Sequence, residues 1–302
     1  MPGRVGLRVL CVLVCAGSLL SCGPLEQQAV PISLGIRLGG TAQPRQLQQS
    51  IAQLQRLGTR RLQVELLIEP DSSGLPIISP PSLQEWARIK PLLRERQLLI
   101  TLSFTGHTDA PQNLWGQWLH SRRGQWFAQY TAELVAFLRE QKDLKLERVV
   151  VANHFDNISS YSYQPEWIQL ITQVRATVAA RVTYAANSLE ANRFPAWAAC
   201  DEIGINYVNT ETDNQKVLAQ ERNAQIRSLA EKYQKPVYLA QANLIGPNKL
   251  SKLKNRLRFY KDQPLSGLCL NHIQPHTVLQ DTTRLWQLDD ATLQYLHHYM
   301  HP

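Results

Sequence analysis

The sequence predicts a single-domain α/β protein, a (β/α)8 TIM barrel. Eight short runs rich in Val, Ile and Leu recur along the chain, separated by amphipathic or shorter crossover segments. Strands that alternate with helices pair in parallel through right-handed crossovers, and eight such units suit a closed ring better than an open sheet. No G-x-G-x-x-G or P-loop follows the first run, which weakens a nucleotide-binding doubly wound fold.

The runs justify this in order. ISLGIRL (32–38) is the first strand, and Leu47, Ile51, Leu54 and Leu57 then keep a helical spacing that stops at Gly58. LQVELLI (62–68) precedes a helix predicted from Ser82, as its cap, to about Arg96. QLLITLSF (97–104) leads through a long loop to a helix from about Gly124 to Glu140. LERVVVAN (146–153) precedes a helix starting near Pro165, and RVTYAAN (181–187) follows it. DEIGINYV (201–208) precedes a helix from about Asn214 to Tyr233, and PVYLAQA (236–242) precedes a lysine-rich one. GLCLNHI (267–273) is the eighth run, with a last helix around Asp290 to Tyr299.

The barrel is expected over 32–302, after a signal segment (1–21) and a tether (22–31). Arg4 and Arg8 form a basic n-region and Val9 to Leu20 an apolar stretch too short for a comfortable membrane span. Leu19-Leu20-Ser21-Cys22 resembles the bacterial lipobox, in which the cysteine is acylated and becomes the new N-terminus. Cys22 is therefore the expected lipid attachment, anchoring the chain to a membrane without a spanning helix. The expected location is the bacterial cell envelope, at the outer membrane or cell surface. Cys200 and Cys269 sit in apolar settings and read as buried free thiols.

At 44% hydrophobic and 19% charged residues the chain is excluded from the disordered and low-complexity classes. Its net charge of +8 is scattered over Arg45, Arg56, Arg60-Arg61, Arg122-Arg123 and Lys249 to Lys254. A nucleic-acid binder concentrates its charge more than this, so no nucleic-acid partner is expected. The absence of CxxC, HExxH and EF-hand patterns argues for no metal, and no cofactor is expected.

Barrel chemistry sits where strands end. Those ends carry Arg37; Glu65 and Glu69; His107 and Asp109; Asn153, His154 and Asp156; Asn187; Asn206 and Tyr207; Gln241 and Asn243; Asn271 and His272. Amides, imidazoles and aromatic rings suit sugar hydroxyls and pyranose faces. Trp115 and Trp118 in NLWGQWL add stacking candidates, as do Tyr161 and Tyr163.

Four segments carry a family resemblance: ITLSFTGHTDAPQNLWGQWL with RRGQWFAQYTAEL, LERVVVANHFD, RVTYAANSLEANRFPAWAACDEIGINYV, and KPVYLAQANLIG. Together they resemble the β-mannanase-like TIM-barrel glycoside hydrolases of family 113, a retaining family. The resemblance implies a glycan cleft lined by Trp115, Asn153, His154, Asn187, Asn206, Tyr207, Gln241, Asn243 and His272. It also implies an acid/base glutamate after Asn153 and a nucleophilic glutamate ending the seventh strand, with carboxyl groups about 5–5.5 Å apart. His154 and Gln241 occupy those two positions. An amide is neutral and poorly nucleophilic, so the double-displacement route is expected to be lost.

Three functions follow as expectations. The first is a catalytically inactive glycosidase-like barrel that binds a glycan or an envelope protein. The second is an active hydrolase with relocated carboxylates drawn from Asp109, Asp156 and Glu65. The third is an envelope scaffold whose cleft is filled by its own side chains. Glu65 and Glu69 are themselves expected to form an ion pair with Arg37 or another arginine.

Overall fold

The computed structural model describes residues 30–39, 51, 60–104, 114–153, 163–207, 215–242, 244, 248–273 and 290–300. The signal segment, Cys22 and most of the tether lie outside them, as does the predicted helix after the first strand except for Ile51.

Nine strands are described: β1 (Ile32–Arg37), β2 (Arg61–Pro70), β3 (Pro76–Ile78), β4 (Gln97–Phe104), β5 (Lys145–Asn153), β6 (Arg181–Asn187), β7 (Ile203–Asn206), β8 (Val237–Gln241) and β9 (Leu265–Ile273). All but β3 pair in parallel, and β1 pairs with both β2 and β9. The ring closes, so the predicted (β/α)8 TIM barrel is the fold. Around it stand α1 (Pro80–Ile89), α2 (Leu114–Arg139), α3 (Gln164–Thr177), α4 (Ser188–Ala191), α5 (Gln215–Tyr233), α6 (Lys249–Tyr260) and α7 (Asp290–Met300).

Three local expectations are corrected. The helix expected over 82–96 starts earlier and stops sooner, because Pro80 and Pro81 occupy its first turn and Pro91 turns its end into a 3-10 segment. Ser82 is not its cap. It lies buried inside α1, where its hydroxyl donates to the Leu38 carbonyl and accepts from the Leu67 amide, both at 3.1 Å. The helix expected from Gly124 begins at Leu114 and kinks at Arg122, so part of the assumed loop is helical. β3 had no sequence expectation; it folds back antiparallel on the overhanging end of β2, pairing Ile68 with Ile78.

Two apolar clusters explain the ring. The large one lies between sheet and helices and includes Leu98, Ile100, Leu102, Val237, Leu239, Leu268 and Leu270. The small one, Leu99, Val150, Ala185, Tyr238, Ala240 and Cys269, takes the alternate positions of the same strands and fills the barrel interior. Burial on both faces makes each strand a nearly continuous apolar run. At the amino-terminal floor the fully buried Glu202 binds the Arg148 guanidinium, accepts from Ser266 at 2.6 Å, and Arg148 lies over the Tyr238 ring at 3.7 Å.

Candidate functional site

The strand ends form the mouth. Arg37 ends the paired part of β1, and its register partner on β2 is Glu65. The guanidinium donates from Nε to Oε2 and from Nη2 to Oε1, both at 2.9 Å. Glu65 is fully buried, while the Arg37 side chain stays 40% exposed. The carboxylate raises the Arg37 pKa, against the opposing effect of burial. The chain leaving β1 is clamped by α1, with Ser82 on the Leu38 carbonyl and Glu85 accepting from the Gly39 amide at 2.8 Å. Gly39 has φ +96, and a Cβ there would lie 2.2 Å from the Ser82 hydroxyl, so this corner needs glycine.

Across the mouth, the ends of β4, β5 and β7 share a chain of amides. Asn153 Nδ2 donates to Ser103 Oγ at 3.1 Å, and Asn206 Nδ2 donates to Asn153 Oδ1 at 2.6 Å. The amide of Asn153 is thus engaged at both ends within the protein. Asn206 Oδ1 is buried and accepts no hydrogen bond, which leaves one inward acceptor without a partner. Asn187, Asn206 and Gln241 lie side by side in the parallel ladder. Gln241 is partly exposed at the tip of β8, and its carbonyl accepts from the Tyr207 amide at 2.8 Å.

The structure thus brings Asn153, Asn187, Asn206 and Gln241 to one rim. It gives Asn187 a second task, capping α4: its Oδ1 accepts from the Glu190 amide at 2.7 Å, and the Glu190 carboxylate accepts from the Asn187 backbone amide at 3.1 Å. Tyr207 follows Asn206 by one residue and so faces outward, where its hydroxyl donates to Gln225 of α5 at 2.8 Å. Trp115 is buried, edge-on to Phe104 at 5.2 Å and to Trp126 at 6.1 Å. Its ring lines the layer behind β4. His107, Asp109, His154, Asp156, Tyr161 and Asn243 lie outside the described residues, as do the side chains of Trp118, Asn271 and His272. Tyr163 immediately precedes α3, with the Arg123 guanidinium over its ring at 5.0 Å.

Several contributors carry no motif in the sequence. Ser103, Glu85 and Glu190 became meaningful only through their partners, and Tyr130 is fully buried with its hydroxyl on the Val151 carbonyl behind β5. Burial pushes the Tyr130 pKa well above its ordinary value, so the phenol stays a donor. Among the described residues no group of His, Cys, Asp and Glu could hold a metal ion.

The model of Glycoside Hydrolase Family 113 matches residues 111–249, from the start of α2 to the start of α6. Over this stretch the chain is similar to glycoside hydrolase family 113. Among solved structures it is similar to a GH113 β-1,4-mannanase, at 15% identity and TM-score 0.64, covering 90% of this chain and 98% of that one. A GH113 β-mannanase from Alicyclobacillus acidocaldarius in complex with ManMIm gives 15% identity and TM-score 0.59, over 87% and 95% of the two chains. An endo-1,4-β-mannanase from Rhizomucor miehei gives 13% and 0.63, over 88% and 93%. Among curated proteins no match is found. In this GH113-like barrel the family match spans β5 to β8, the strands that end in Asn153 and Gln241.

Proposed function

We propose that this protein is a lipid-anchored, GH113-like barrel of the bacterial envelope that binds a glycan at its mouth and does not hydrolyse it. The observation that carries this reading is Gln241 at the tip of β8, beside Asn206 in the ladder. A retaining glycosidase needs a carboxylate there to attack the anomeric carbon while a second carboxyl handles the proton. The Gln241 amide has no charge and forms no glycosyl ester.

Glu65, the described member of the expected relocated carboxylates, is unsuited to that role. Both of its oxygens are engaged by the Arg37 guanidinium, which keeps them from attacking an anomeric carbon. What remains at the rim is amide chemistry: the partly exposed Gln241 matches sugar hydroxyls, which donate as well as accept. The envelope location rests on the lipobox-like stretch ending in Cys22.

The test combines activity with restoration. The purified protein is expected to bind mannan-type oligosaccharides without releasing reducing ends. The double variant Gln241→Glu with His154→Glu is expected to gain measurable hydrolysis that neither single variant shows. Hydrolysis by the unmodified protein, or a covalent fluorosugar adduct on it, would overturn the proposal. Loss of fatty-acid labelling in cells on Cys22→Ser tests the anchor.

A further inference from the structure

Away from the mouth, α5 and α6 leave a cleft in the outer layer lined by Arg222, Lys252, Asn255, Arg256, Phe259 and Tyr260, with Leu218 and Ala219 completing its wall. Three of these side chains are cationic and none is acidic. Arg256 is the decisive one. Its Nη1 donates to the Ala242 carbonyl at 2.5 Å, and no carboxylate stands within ion-pair distance of it among the described residues. Burial lowers its pKa to about 10, with the neighbouring cation Arg222 adding to the effect and Tyr260 opposing it. Arg256 is therefore still charged at neutral pH, in a site where charge normally requires a counterion.

The free space, about 40 Å³ for water centres, holds roughly three waters. That is the size of a tetrahedral oxyanion. A guanidinium presents parallel donors to such a group, while a lysine adds a point charge, and an asparagine amide supplies a further donor. We propose that this cleft is a binding site for a phosphate-type oxyanion, held by Arg256 and Lys252 with Asn255 beside them. The phosphate is either a free ion or the headgroup of an anionic lipid. The site stands independently of the glycan reading, since it uses no residue of the barrel mouth.

Thermal unfolding in phosphate and in chloride at equal ionic strength tests it. Saturating phosphate is expected to raise Tm by about 2–4 °C over chloride. Lys252→Gln and Arg256→Gln are each expected to abolish most of that rise. Arg227→Gln, an exposed charge on α5, serves as the control and should keep it. If Arg256→Gln does not fold, Lys252→Gln alone decides. Sedimentation with vesicles of phosphatidylcholine, with and without phosphatidylglycerol, separates the sources. Vesicle binding lost in Lys252→Gln supports the headgroup, and a phosphate shift without vesicle binding supports the free ion. Equal Tm in phosphate and chloride together with no vesicle binding, or a Lys252→Gln variant that responds like Arg227→Gln, overturns the proposal.

Discussion

Arg37, at the end of β1, faces Glu65 in register in the middle of β2, and the guanidinium binds both carboxylate oxygens at 2.9 Å. A sequence candidate for relocated catalysis is thereby a strut of the barrel rim. Glu65→Gln removes the charge yet keeps the shape, and with Arg37 partly in solvent the cost is expected to be about 2 kcal/mol. Urea denaturation measures it. A cost near zero would free Glu65 for another role.

The floor pair should matter more, because neither partner reaches water: side-chain exposure is 2% for Arg148 and 0% for Glu202. Glu202→Gln leaves a buried guanidinium without its counter-charge and is expected to cost about 3–5 kcal/mol. Arg148→Met combined with Glu202→Leu should recover much of that loss, since an apolar pair avoids desolvating two charges. Equilibrium unfolding of the single and double variants reads both effects.

Glycine at 204 is dictated by its neighbour. A Cβ there would stand 2.1 Å from the Tyr184 carbonyl, a backbone atom that cannot move without breaking the pairing of β6 and β7. Gly204→Ala is expected to destabilise the barrel by ~3 kcal/mol or more. Gly124 lies in α2 with nothing within 4 Å of a Cβ, so Gly124→Ala should instead add about 0.5–1 kcal/mol. Thermal unfolding of the two variants should therefore shift in opposite directions.

Cys200 and Cys269 are buried thiols, each pushed by burial from 9.0 up to about 12. Both stay protonated in the folded state through the range where unfolded thiols ionise. Their contribution to stability is complete below pH 9 and is lost as pH climbs towards 12. Iodoacetamide at pH 8 should leave peptides containing either cysteine unlabelled until denaturant is added, as read by mass spectrometry. Rapid labelling of native protein would contradict their burial.

The strand order was legible because a barrel strand buried on both faces is written as a compact apolar run. RVTYAAN and QLLITLSF coincide with β6 and β4 as they fold. Helix ends were less legible where several residues compete for one role. Ser82 looks like a cap in one dimension, yet Pro80 and Pro81 start the helix first and its hydroxyl is drawn to Leu38 and Leu67. β3 was missed because three residues, Pro76–Ile78, carry too short a period to register.

The candidate site divides in the same way. Gln241 and the asparagines were identifiable from sequence because their position at strand ends follows from strand order alone. The sequence by itself determined the alternation, the barrel and the amide that stands at Gln241, each a property of local order along the chain. Only the tertiary structure decided that Asn153 is occupied by Ser103 and Asn206, that Tyr207 turns outward to Gln225, and that Glu65 is held by Arg37. Hydrogen bonds and ion pairs act over about 3 Å in space, and residues 28 to 53 positions apart meet at that distance only once the ring has closed.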